Sequence, residues 1–105
     1  MAQFPDRIKT IIDNYLQALR QYNVPIKEAI LFGSYAKGTH REWSDIDIAL
    51  VSDIFEGNRI DDKDKIRRIT LSVSSEIEVV PFPPDEFNSQ DPFVKEILAT
   101  GVRLI

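Results

Sequence analysis

Asp45 and Asp47 stand two residues apart in the stretch SDIDIALV, and two residues is the period at which side chains share one face of a strand. Their Cα atoms would lie roughly 6.5 Å apart, and two carboxylates aimed at one point repel each other unless a cation sits between them. Magnesium is commonly held by one or two carboxylates together with substrate phosphates. A pair of such ions about 3.5–4 Å apart can clamp the attacking and leaving oxygens of a phosphoryl displacement. Alone, Asp-x-Asp more often marks a solvated strand face. Here Ala49 and Val51 continue the same face as apolar residues. The aspartates thus end a strand whose remainder is buried on both sides, a poor place for idle charge.

Ten residues earlier in the chain, the run AILF ends at Gly33-Ser34. A glycine at a strand end lets the backbone approach a ligand without Cβ interference. If a short helix begins at Ser34, its free amides and the serine hydroxyl form a seat for phosphate. Gly-Ser is also a common turn, and serine a common helix cap. Lys37, His40 and Arg41 follow in the connecting loop, where they could meet triphosphate charge or simply be solvated. Trp43 reads as packing on the sheet edge rather than stacking on a base.

The segment SEIEVVPF offers a further carboxylate, with Glu76, Glu78 and Val80 on one face. A two-metal site needs a third carboxylate, and one beside the metal can also take a proton from an attacking hydroxyl. Glu78, flanked by apolar residues, suits this better than Glu76. A glutamate on an edge strand is equally an ordinary solubility device.

The elements that must position these residues follow from periodicity. Residues 6–22 place Ile8, Ile11, Ile12, Tyr15, Leu16 and Leu19 on one helical stripe. IKEAILFG predicts a buried strand, Ser34 to Gly38 a turn or two of helix, and Ser44 to Val51 a second strand. Asp61 to about Ser72 predicts a helix burying Ile66, Ile69 and Val73, and Glu76 to Phe82 a third strand stopped by Pro83-Pro84. Asp91-Pro92 opens a last helix that should bury Phe93, Ile97 and Leu98 before Gly101, and GVRLI could add a closing strand. The expected fold class is α/β (α+β): a small mixed sheet flanked by helices, in one domain over residues 1–105.

Composition narrows the function classes. With 17 acidic against 13 basic side chains, the net charge is −4. Many phosphate contacts call for a basic excess, so long nucleic acid is an unfavourable partner, while a single nucleotide held through metal ions is not. The chain has no cysteine, which excludes disulfides and thiolate metal sites. The start MAQFPDRIKT does not read as a signal peptide, and the apolar runs are too short for a membrane span. The expectation is a cytoplasmic domain without a membrane partner. Its oligomeric state stays open, a homo-oligomer included.

Gly-Ser after a strand, ten residues, Asp-x-Asp entering a second strand and an acid in a third: this resembles the nucleotidyltransferase superfamily typified by DNA polymerase beta. The run GSYAKG…SDIDIAL is similar to the minimal nucleotidyltransferase (MNT) group. The resemblance implies the nucleotidyltransferase fold, with Gly33 and Ser34 holding the nucleotide triphosphate and Asp45 and Asp47 binding two Mg2+ ions. It gives Glu78 the place of the third carboxylate, a metal ligand and general base. The group commonly has aspartate there, so Glu78 reaches one methylene further. Lys37 stands where many members have arginine, keeping the charge without the bidentate geometry. The implied reaction moves a nucleoside monophosphate from an NTP, with ATP the expected donor, to an acceptor hydroxyl. Larger members append a helical domain, so here a partner is expected to complete the site. The group implies a helical HEPN protein in that role, often as toxin to an MNT antitoxin that adenylylates it. The competing expectation is a non-catalytic module of the same fold that neutralises its partner by masking.

Overall fold

The computed structural model describes residues 4–41 and 44–105; the expectation for Trp43 lies outside them. Helix α1 (Asp6–Gln21) begins directly after Pro5 and stops where Asn23 adopts a positive φ, a conformation asparagine tolerates better than most residues. Its buried stripe is Ile8, Ile12, Tyr15 and Leu19. Strand β1 (Glu28–Phe32) leads into the one-turn helix α2 (Ser34–Lys37), and β2 (Ile46–Val51) follows. Helix α3 (Arg59–Val73) starts two residues earlier than its periodicity predicts, because the Asn58 side chain accepts a hydrogen bond from the Asp61 amide and caps it. Strand β3 (Ile77–Phe82), a 3-10 turn at Pro84–Glu86, helix α4 (Pro92–Thr100) and the short strand β4 (Val102–Arg103) complete the chain.

The four strands form one mixed sheet in the order β3-β2-β1-β4. β1 is antiparallel to β2 and to β4, whereas β2 and β3 run parallel. Ile46, Ile48 and Leu50 of the central strand face α1 and α3, together with Ala29, Leu31, Ile77 and Val79. Ala49 and Val51 turn to the other face, where Ile30, Phe82 and the α4 residues Val94 and Ile97 cover them. β2 is therefore buried on both faces beyond its acidic end, as its sequence predicts.

Two expectations of burial need correction. Phe93 and Leu98 are 36% and 46% exposed, and Val94 takes the inward position with Ile97. With Asp91 capping through the Phe93 amide, the inward stripe of this nine-residue helix runs through 94 and 97, one position after Phe93. In α3, Ile66 is buried and Ile69 and Val73 are partly so, but the helix also buries a charged residue, Asp62. Among the described residues, no helix is long and apolar enough to cross a membrane.

Candidate active site

The sheet register brings the sequence motifs together. Asp47 on the central strand pairs with Phe32 on one side and Glu78 on the other. Residues paired across neighbouring strands project to the same face, so Phe32, Asp47 and Glu78 form one row across three strands. Asp45 precedes β2 by one residue, is exposed, and lies one strand period from Asp47. Glu76 lies outside β3 and is held by Arg7 at 2.7 Å; Glu78 is the acid aligned with Asp47, as its flanking residues predict.

Gly33 follows Phe32 and closes the arrangement from the β1 side. Its φ of 76° and ψ of −152° fall in a region that only glycine occupies without strain. A Cβ built on it would overlap Asp47 Oδ2. Backbone and carboxylate thus meet because the side chain is missing. Ser34 opens α2 rather than capping it, since Gly33 holds the cap position. Ser34 itself is half-buried. Lys37, on the last turn of α2, bonds Glu96 of α4 at 3.1 Å. His40 stacks on Tyr35 with ring centroids 4.6 Å apart, and Arg41 is exposed.

Charge at the row is not balanced. Burial raises the Asp47 pKa, and the neighbouring charges of Asp45 and Glu78 raise it further. Three acids therefore feel one another, and among the described residues no cation offsets them at Asp47. Glu78 itself accepts from Lys63 of α3 at 2.6 Å, in an exposed pair. Among the described residues no three His, Cys, Asp or Glu side chains converge into a ready-made metal cage. An all-protein cage is what calcium sites use, whereas magnesium takes one or two carboxylates and completes its shell from water and phosphate. The donor set at Asp45, Asp47 and Glu78 is all oxygen, is crowded with negative charge and opens to solvent at Asp45 and Glu78. It fits a hard divalent cation.

Sequence reasoning did not find the two ion pairs that occupy Lys37 and Glu78, because Glu96 and Lys63 are distant in the chain and look like solvated helix positions. It also missed Asp62. That side chain accepts from the amides of Glu56 and Gly57 at 2.9–3.1 Å and from Lys65 at 3.2 Å. Burial alone would raise its pKa, but these donors outweigh it and hold the carboxyl below the usual range. It pins the loop between β2 and α3. The available signal was an acid in the first turn of a helix that follows a glycine-containing loop.

A small mixed sheet with glycine-backed acids on a central strand and its edge neighbour is the arrangement of a nucleotidyltransferase fold. The family model for the nucleotidyltransferase domain matches residues 12–104, and the chain belongs to that family. Two proteins of Methanocaldococcus jannaschii, both named as protein adenylyltransferases, are similar in sequence. One is 37% identical over 65 residues, covering 61% of this chain and 44% of the relative. The other is 50% identical over 44 residues, covering 41% of this chain and 44% of the relative. Each match thus spans less than half the relative's length. Solved structures share the fold. A toxin–antitoxin structure with AMP-PNP superposes with a TM-score of 0.64 at 24% identity, over 89% of this chain and 71% of that one. A mutant of the MntA-HpeT toxin–antitoxin gives 0.61 at 20% identity, over 98% and 73%. A protein of Sulfolobus solfataricus named as a nucleotidyltransferase gives 0.60 at 22% identity, over 98% and 89%.

Proposed function

We propose that this domain is a magnesium-dependent nucleotidyltransferase that transfers AMP from ATP to a hydroxyl of a partner protein. The observation that carries the reading is the placing of Asp47 against Gly33 on one side and in register with Glu78 on the other. Asp45, Asp47 and Glu78 would hold two magnesium ions, which supply neutralisation of the phosphate oxygens and a lowered pKa for the acceptor hydroxyl. Gly33 lets the backbone approach the triphosphate, and the Ser34 hydroxyl donates to a phosphate oxygen. Lys37 exchanges Glu96 for the triphosphate, a small loss because that pair is exposed. Glu78 accepts the proton as the acceptor oxygen bonds to the α-phosphorus and pyrophosphate departs with the other bonding pair. The names of the two adenylyltransferase relatives favour AMP and a protein acceptor. The toxin–antitoxin structures, one with AMP-PNP, favour ATP and a toxin partner. We assign that partner to the helical HEPN class by the MNT resemblance, and the chain to the antitoxin role.

One observation favours masking without turnover. Both Lys37 and Glu78 are tied to helix residues by ion pairs, so a nucleotide-free module could persist in this state. A label-transfer assay separates the two readings. The chain is mixed with host lysate, magnesium and α-phosphate-labelled ATP, beside the Asp45→Ala/Asp47→Ala double variant. A labelled protein that requires both aspartates supports transfer. No label with intact Mg-ATP binding supports masking, and no Mg-ATP binding defeats both the transfer and the nucleotide-site reading.

A further inference from the structure

The face that carries Asp47 and Glu78 also carries aromatic rings. Phe32, opposite Asp47 in the register, meets Phe93 of α4 edge to face, with ring centroids 5.7 Å apart. Phe93 in turn lies 6.3 Å from Phe82, further along β3. The guanidinium of Arg59, the first residue of α3, rests over both Phe82 and Phe93, at 5.4 and 5.5 Å from their centroids. Val80, half-buried, lies on the same face of β3 between Glu78 and Phe82. The acids are thus continuous with a shelf of Phe32, Phe93 and Val80 that Arg59 borders from the α3 side.

Aromatic rings on a sheet are ordinarily core. Phe82 fits that account, being 3% exposed and packed on Phe87 at 5.1 Å. Phe93 does not. Val94 and Ile97 are the α4 residues that fill the core, and Phe93 keeps 36% of its surface open beside the acids. Arg59 is also out of keeping with an ordinary surface cation. The chain has 17 acidic side chains, yet among the described residues Arg59 makes no ion pair and stays exposed over the rings. An open aromatic ring bordered by such a guanidinium suits a flat π system, which stacks on the one and takes the cation over its other face. A covalent tether decides which π system that is. Side chains paired across neighbouring strands stand about 5 Å apart, so Phe32 and then Phe93 follow Asp47 within two side-chain contacts. In a nucleoside triphosphate one ribose separates the base from the α-phosphate. A phosphate held at Asp47 therefore delivers its own base to this shelf.

Resting on the nucleotidyl-transfer reading above, we propose that Phe93 seats the base of the donor nucleotide and that Arg59 closes over the outer face of that base. Arg59 exchanges one π face for another in that step, so little is lost. Stacking reads ring area rather than hydrogen-bonding edges. The shelf therefore selects purine over pyrimidine nucleotides and separates ATP from GTP only weakly.

The test is calorimetric titration of the full chain with the magnesium complexes of ATP, GTP, CTP and inorganic tripolyphosphate. Expected is tighter binding of ATP and GTP than of CTP, with tripolyphosphate weakest. Phe93→Leu should lower ATP affinity at least ~5-fold, the lower end of what one base–aromatic stack contributes. Its tripolyphosphate affinity and melting temperature should stay at wild-type values, which a merely structural role would not allow. Phe93→Tyr should retain ATP binding, and Arg59→Gln should weaken it in the same direction as Phe93→Leu. Unchanged ATP affinity in Phe93→Leu overturns the proposal, and so does an equal fall for ATP and tripolyphosphate. Slower label transfer at unchanged ATP affinity also overturns it, placing Phe93 against the acceptor while leaving nucleotidyl transfer intact. Phe93-dependent purine preference with no label transfer supports the base seat and defeats transfer instead. A wild-type chain that binds neither ATP nor tripolyphosphate defeats the nucleotide site and the base seat together.

Discussion

Replacing Gly33 with alanine should separate two roles that a Gly-Ser turn could have. The residue sits at φ 76° and ψ −152°, where a side chain brings strain of about 1–3 kcal/mol. A second penalty is steric, because the new Cβ overlaps Asp47 Oδ2. For a domain of this size each kcal/mol moves Tm by about 4–8 °C, so strain alone predicts a fall of roughly 5–20 °C. The steric part is testable by a double-mutant cycle. In an Asp47→Ala background the carboxylate is gone, and Gly33→Ala should lose less stability, by about 0.5 kcal/mol or more. The assay is thermal melting of all four proteins in chelator, followed by Mg-ATP titration of the single Gly33 variant. Affinity should drop, because the carboxylate has to turn away from the site. Additive effects in the cycle, or a Gly33→Ala protein that melts and binds Mg-ATP like wild type, would refute the claim that the glycine exists to admit Asp47.

Three further outcomes follow from the charges. The folded-state pKa of Asp47 is raised, so the folded chain binds its proton more tightly than the unfolded one; stability from this group is complete below the unfolded pKa and declines as pH rises through the folded value. Metal-free protein should therefore lose stability over that window, and melting curves of Asp47→Asn should show a smaller loss. The opposite sign holds for Asp62, whose pKa is lowered: its contribution is present above the unfolded pKa and disappears as pH falls through the folded one. Asp62→Ala should destabilise the fold by roughly 3 kcal/mol at pH 7, since hydrogen bonds to a charged group are worth about 1.5–3 kcal/mol each, and urea denaturation should register it. Glu96→Gln should release Lys37 and tighten Mg-ATP binding by no more than ~5-fold, the range of an exposed pair, measured by calorimetry.

Most of the fold was legible because it rests on local pattern. Period-two alternation located β2 and its acidic face, the apolar stripe located α1, and Asp91-Pro92 located the start of α4. The neighbourhood of Gly33, Asp47 and Glu78 was legible for the same reason, since each ends or interrupts an apolar strand run. What failed was rotation within a short helix. Nine residues of α4 contain several apolar positions, and only the packing of Val94 and Ile97 on the sheet decides which face turns inward. Asp62 failed for a related reason: an acid in the first turn of a helix is ordinarily solvated, and its burial depends on a loop folding back to offer two amides. Tertiary partners, not propensity, set both.

The half-buried Asp47 and the fully buried Asp62 show how one chain treats carboxylates in opposite ways. Asp62 is surrounded by donors and is held ionised, which suits a residue that only has to fix a loop. Asp47 has other acids for neighbours, and its environment disfavours its ionised form. A site built for stability would have placed Lys63 or Lys37 beside Asp47. Instead each lysine is paired with a carboxylate, Lys63 with Glu78 and Lys37 with Glu96. Charge left unbalanced at Asp47 is charge that an incoming cation can balance, so binding free energy is available there that a satisfied network would have removed. The glycine-only backbone conformation at Gly33 belongs to the same arrangement: a side chain there would displace the Asp47 carboxylate, and β2 and β3 would no longer present their acids together.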